Sequence, residues 1–86
     1  MAETDLTYDV LNELYFVTSY SELKMNTGLE NNKLVELLIL LNRNGWIRCY
    51  EGVDNEIEGE DVDIRNLFDK YHYLASKEGL FAHNSR

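Results

Sequence analysis

Apolar residues recur at helical spacing between residues 5 and 17, where Leu6, Val10, Leu14 and Val17 form a stripe that Leu11 and Tyr15 widen. Asp5, Asp9 and Glu13 lie opposite, so the spacing predicts a first amphipathic helix over 5–17. Ser19-Tyr20-Ser21-Glu22 fits a capping box, in which a serine oxygen accepts from the first turn and a glutamate reaches back. A short second helix through Leu23 follows from it, closed by Gly28, because glycine enters left-handed backbone geometry without steric cost. From Asn31 to Asn44 the pattern is helical again, with Leu34, Leu37, Leu38 and Leu41 on one face and Gly45 placed to end it. Val35, Ile39 and Leu40 extend the apolar surface beyond one stripe, which predicts a helix central in the core or covered by a second chain. Trp46 to Glu51 alternates as a strand, with Ile47 and Cys49 on one side and Trp46, Arg48 and Tyr50 on the other.

The pattern then breaks. Residues 51–63 contain Glu51, Asp54, Glu56, Glu58, Glu60, Asp61 and Asp63 with no basic residue, punctuated by Gly52 and Gly59, and read as a mobile, solvated loop. Ile64, Leu67, Phe68 and Tyr71 resume helical spacing, whereas Tyr71-His72-Tyr73-Leu74-Ala75 is aromatic as strands are. The expectation is a short helical turn and then a strand. Ser76 is placed to cap a last short helix over Lys77 to His83, which Gly79 weakens.

With 86 residues the chain has room for one core, so a single domain over 1–86 is expected, and its composition, 44% hydrophobic and 28% charged, is that of a globular protein. One cysteine, Cys49, excludes an internal disulfide and a cysteine cluster for zinc, which points to the reducing cytoplasm. The Met-Ala-Glu-Thr-Asp start has no signal-peptide pattern, and no apolar run is long enough for a membrane span. The net charge of −8 argues against indiscriminate coating of nucleic acid or anionic membrane. Its distribution matters more than its sum. Residues 1–23 carry −5, residues 24–50 carry +2, residues 51–63 carry −7 and residues 64–86 carry +2.

The order helix, short helix, glycine turn, long helix, glycine, strand, loop, strand resembles a winged helix-turn-helix domain. Ser21-Glu22-Leu23-Lys24 through Gly28-Leu29 is similar to that family's second helix and turn, and Leu37 to Leu41 with Asn44-Gly45-Trp46-Ile47 to its recognition helix entering the wing. Tyr73-Leu74-Ala75-Ser76-Lys77-Glu78-Gly79-Leu80 resembles the Tyr-x-Leu-Thr-x-x-Gly segment that closes the wing in small bacterial regulators. Ala75 replaces the usual leucine, and the wing loop is acidic where DNA-binding members carry lysine or arginine. The fold class this resemblance implies is α+β, mostly α: a three-helix core with a small antiparallel β wing and a short C-terminal helix. It also implies a DNA-binding transcriptional regulator with a recognition helix at about 31–44, dimerising through Leu6 to Val17 and Leu80 to His83.

The positions matching the base-reading end of that helix are Asn31, Asn32, Lys33 and Glu36. Asparagine pairs bidentately with adenine and glutamate accepts from cytosine, each contact contributing roughly 1 to 3 kcal/mol of discrimination. Lys24, Arg43 and Arg48 are candidate phosphate contacts on double-stranded DNA. The alternative is a protein-interaction adaptor without DNA binding, in which the acidic segment 51–63 meets a basic partner and the surplus apolar surface at Val35 and Ile39 docks it. An enzyme is not expected, because His72 and His83 have no acid or nucleophile in reach of their spacing. Neither a cofactor nor a metal is expected: Asp54, Glu56, Glu58, Gly59 and Glu60 do not reproduce the ligand order of a calcium loop.

Overall fold

The computed structural model describes residues 3–85, with side chains from Leu6 onward. The Met1-Ala2 start, the Asp5 side chain and Arg86 lie outside the described residues. Among the described residues the chain is an α+β domain, 59% helical, with five α-helices and a four-stranded antiparallel sheet.

Helix α1 spans Glu3–Asn12, five residues short of the expected end. Glu13 and Leu14 donate to the carbonyls of Val10 and Leu11, both at 3.0 Å, so the last turn tightens to three-residue spacing. The chain then leaves the helical path because the Leu14 carbonyl accepts from Ala75 N at 2.8 Å, a bond that ties this segment to the last strand. Leu14 still reaches the core, while Val17 lies outside the helix. Strand β1 is the two-residue Thr18–Ser19, too short to show in the sequence pattern.

Ser19 caps α2 (Tyr20–Thr27) by accepting from Glu22 N at 3.2 Å, and Gly28 closes the helix at φ 70°, donating to Lys24 O. Helix α3 (Asn31–Arg43) follows, and Gly45 at φ 75° turns the chain into β2 (Ile47–Glu51).

The segment expected to be an irregular loop contains structure. Strand β3 (Asn55–Ile57) pairs with β2, Cys49 lying opposite Ile57 and Tyr50 opposite Glu56, and a 3₁₀ turn occupies Gly59–Asp61. Ile57 explains the order, since it is half-buried against the core at the inward position opposite Cys49 and anchors an otherwise acidic strand. Helix α4 (Ile64–Leu67), a second 3₁₀ turn (Phe68–Lys70) and β4 (Tyr71–Ala75) give the turn-then-strand order that was expected. Helix α5 (Lys77–Ser85) ends the described chain, with Ser76 Oγ accepting from Gly79 N at 3.1 Å.

The sheet order is β1-β4-β2-β3. Tyr71, Tyr73 and Ala75 of β4 and Ile47 and Cys49 of β2 point inward by strand alternation. They meet Val10, Leu11 and Leu14, Leu23, and the Leu34, Leu37, Leu38 and Leu41 face of α3 in one core.

Candidate functional site

Helix α3 has three environments around its circumference. Its leucine face is buried in the core. A second flank, bearing Val35, Ile39 and Asn42, is met by the chain's own segment 62–68, with Val62, Asp63, Ile64 and Arg65 beside Ile39, Asn42 and Arg43, and with Arg65 and Phe68 beside Asn31, Asn32, Val35 and Glu36. Val35 and Ile64 are buried, and Ile39, Val62 and Phe68 are partly buried against the core. The apolar surplus at Val35 and Ile39, expected to await a partner, is therefore largely covered within the chain. The third flank faces solvent and carries Asn32, Lys33, Glu36 and half-buried Leu40 around an open hollow.

The seven residues singled out for DNA contact are distributed as follows. Asn31, Asn32, Lys33 and Glu36 share the first half of α3, with Asn31, Asn32 and Glu36 exposed and Lys33 half-buried. The Asn31 carboxamide oxygen accepts from the Tyr20 hydroxyl at 2.7 Å, which fixes α3 to α2. Glu36 is bridged by Arg65, whose Nη2 lies 3.2 and 3.4 Å from its two oxygens. Arg43 is exposed at the far end of α3, and Lys24 is half-buried in α2, near Met25 and Leu29. Arg48 is elsewhere, on β2, with Nη1 3.4 Å from Glu56 Oε1 across the β2–β3 hairpin. The positions at the start of α3 are thus brought together, and Arg48 is held by the acidic hairpin instead. Arg65 is a neighbour of this site that the sequence did not single out, because its partner lies 29 residues away and no local pattern marks it.

The hairpin and the turn after it carry the acid. Glu51, Asp54, Glu56, Glu58, Glu60, Asp61 and Asp63 are all exposed, and Val53 at the tip is 67% exposed. Asp63 caps α4 through Asn66 N, and its own backbone N donates to the Tyr71 hydroxyl at 3.0 Å. Strand β3 is an outer strand of the sheet, so one of its edges has no strand beside it among the described residues.

Cys49 is buried on the core-facing side of β2, and burial, reinforced by the Glu56 charge, pushes its thiol up to about 12. Burial likewise raises Tyr73, whose hydroxyl donates to Phe68 O at 2.8 Å, and Tyr20, where the Asp69 charge adds to it. His83 Nδ1 is 3.2 Å from the Tyr15 hydroxyl, with Tyr8 and Tyr15 edge-on to its ring. His72 Nδ1 is enclosed without a hydrogen-bond partner. No group of three or more His, Cys, Asp or Glu side chains is placed to hold a metal among the described residues. None of the described helices is long and apolar enough to cross a membrane.

The chain matches no protein-family model, no curated protein and no solved structure.

Proposed function

We propose that this chain is a winged-helix-type domain that works as a protein-interaction module, docking a basic protein segment on its acidic β2–β3 hairpin and the acidic 3₁₀ turn that follows it. The winged-helix part is supported by the connectivity: β1 precedes α2, and β1 and β2 both pair with β4, leaving β3, the 3₁₀ turns and α4 as an enlargement of the wing. The observation that carries the interaction role is the hairpin itself. It is an ordered outer edge of the sheet that presents exposed carboxylates in succession, with Val53 at its tip. An edge of this kind accepts an extended segment by main-chain pairing, and its charge selects lysine- or arginine-rich partners. The same charge repels phosphate within a Debye length, about 8 Å at physiological salt. Capture of a basic partner that is lost when Glu58, Glu60 and Asp61 are made neutral together supports this role; capture indifferent to those charges contradicts it.

A second reading, DNA binding through α3, is favoured by one observation: Asn32, Lys33 and Arg43 are at least partly exposed on one helix, with Arg65 beside its first half. Retention of a random-sequence duplex at low salt, abolished by Lys33→Ala with Arg43→Ala, is its test. In that reading the acidic hairpin is turned away from the duplex.

A further inference from the structure

The two outer strands of the sheet, β1 and β3, differ in what they can accept. Strand β1 is two residues long, runs directly into α2 at Tyr20 and lends its Ser19 oxygen to the cap of that helix. Strand β3 is three residues long, and Glu58 continues it in extended backbone at φ −67° and ψ 151°. The register fixes which way its side chains point. Ile57 lies opposite Cys49 on the inward face and is only half-buried, so part of its apolar surface remains uncovered at the margin of the sheet. Glu56 lies opposite Tyr50 on the outward face, Glu58 shares that face two positions on, and both are exposed. The edge therefore presents an acid, an aliphatic side chain and an acid on alternating faces.

We infer, resting on the docking role proposed for the hairpin, that the β3 edge takes an added strand in which basic and apolar residues alternate, with a basic–apolar–basic triplet beside Glu56, Ile57 and Glu58. Directly opposed residues of adjacent strands share a face. A strand laid along β3 thus turns its residue opposite Ile57 inward, where an aliphatic side chain covers the surface Ile57 leaves open. It turns the two flanking residues outward, against Glu56 and Glu58. Arg48 already sets a cation against this outward face, with Nη1 3.4 Å from Glu56 Oε1. Charge decides between occupants. A second copy would bring its own residues 51–63, which carry −7, against the same segment, and a duplex would bring phosphates, so both are repelled. A wholly basic strand would hold a cation against Ile57, and a wholly apolar one would leave two carboxylates without partners. Alternation satisfies both faces at once.

Two short peptides of identical lysine and leucine composition test this on the unaltered chain, one with the two residue types alternating and one with all leucines placed before all lysines. The expected result is that the alternating peptide binds at least about fivefold more tightly by calorimetric titration. Its leucine methyl groups are also expected to show nuclear Overhauser contacts to the Ile57 side chain. Equal binding of the two peptides, with both weakened by neutralising Glu58, Glu60 and Asp61, overturns the added strand and leaves the acidic docking surface standing. Binding of neither peptide overturns the strand and the docking role together. Tighter binding of the alternating peptide with its leucines in contact elsewhere than Ile57 also contradicts the added strand.

Discussion

Gly79 lies so close to Trp46 that a Cβ on Gly79 would overlap the Trp46 carbonyl oxygen. A glycine that weakens a short helix by propensity is here what lets α5 sit against the turn between α3 and β2. Alanine in place of a helical glycine ordinarily gains up to about 1 kcal/mol. Overpacking against backbone costs about 1 to 3 kcal/mol and leaves no flexible side chain to move aside. Gly79→Ala is therefore expected to destabilise the domain by about 1 to 3 kcal/mol in urea denaturation. Gly59→Ala, with nothing within 4 Å of the added atom, is the control and should change stability by less than about 0.5 kcal/mol.

Asn31, at the start of the candidate recognition helix, is tied to α2 by the Tyr20 hydroxyl. Tyr20→Phe and Asn31→Ala should each cost about 1 kcal/mol, and the double variant should lose less than their sum. A double-mutant cycle measures this coupling. Strict additivity would show that the bond contributes nothing and that Asn31 is available to other ligands.

Cys49 sets a pH dependence whose sign can be worked out. Its thiol titrates at about 12 when folded, against an ordinary value of 9.0. The folded state therefore holds the proton longer, so this contribution to stability is fully present below 9.0 and is lost as pH rises towards about 12. Tyr73 and Tyr20, also raised, act with the same sign. Urea midpoints should fall on the alkaline side, and Cys49→Ala should flatten part of that fall. In the native state at about pH 8 a thiol reagent should label Cys49 far more slowly than the unfolded chain. Labelling at the unfolded rate would mean that the core does not cover the inward face of β2.

Local signals were legible in the sequence. The Ser19–Glu22 cap, the turns at Gly28 and Gly45, the span of α3 and the inward pair Ile47 and Cys49 each rest on neighbouring residues, and each agrees with the structure. The misreadings share a different cause, namely contacts between distant residues. Helix α1 stops early because Leu14 bonds to Ala75, and β3 is ordered because Ile57 packs opposite Cys49. Segment 62–68 covers Val35 and Ile39 from across the chain. At the candidate sites the same distinction holds: residue types on α3 were readable, but the pairing of Glu36 with Arg65 and of Arg48 with Glu56 was not. Both pairs are exposed and each contributes at most about 1 kcal/mol, so their main effect is on which charges remain available to a partner.

The hairpin's role is most directly tested by titrating the isotopically labelled chain with a lysine/arginine-rich peptide and, separately, with a short DNA duplex, following backbone amide shifts. The proposed module predicts peptide-induced shifts concentrated between Glu51 and Asp63, weakened by neutralising Glu58, Glu60 and Asp61, and little response to the duplex. Shifts confined to Asn31–Arg43 on addition of the duplex, with the hairpin silent to the peptide, would contradict it.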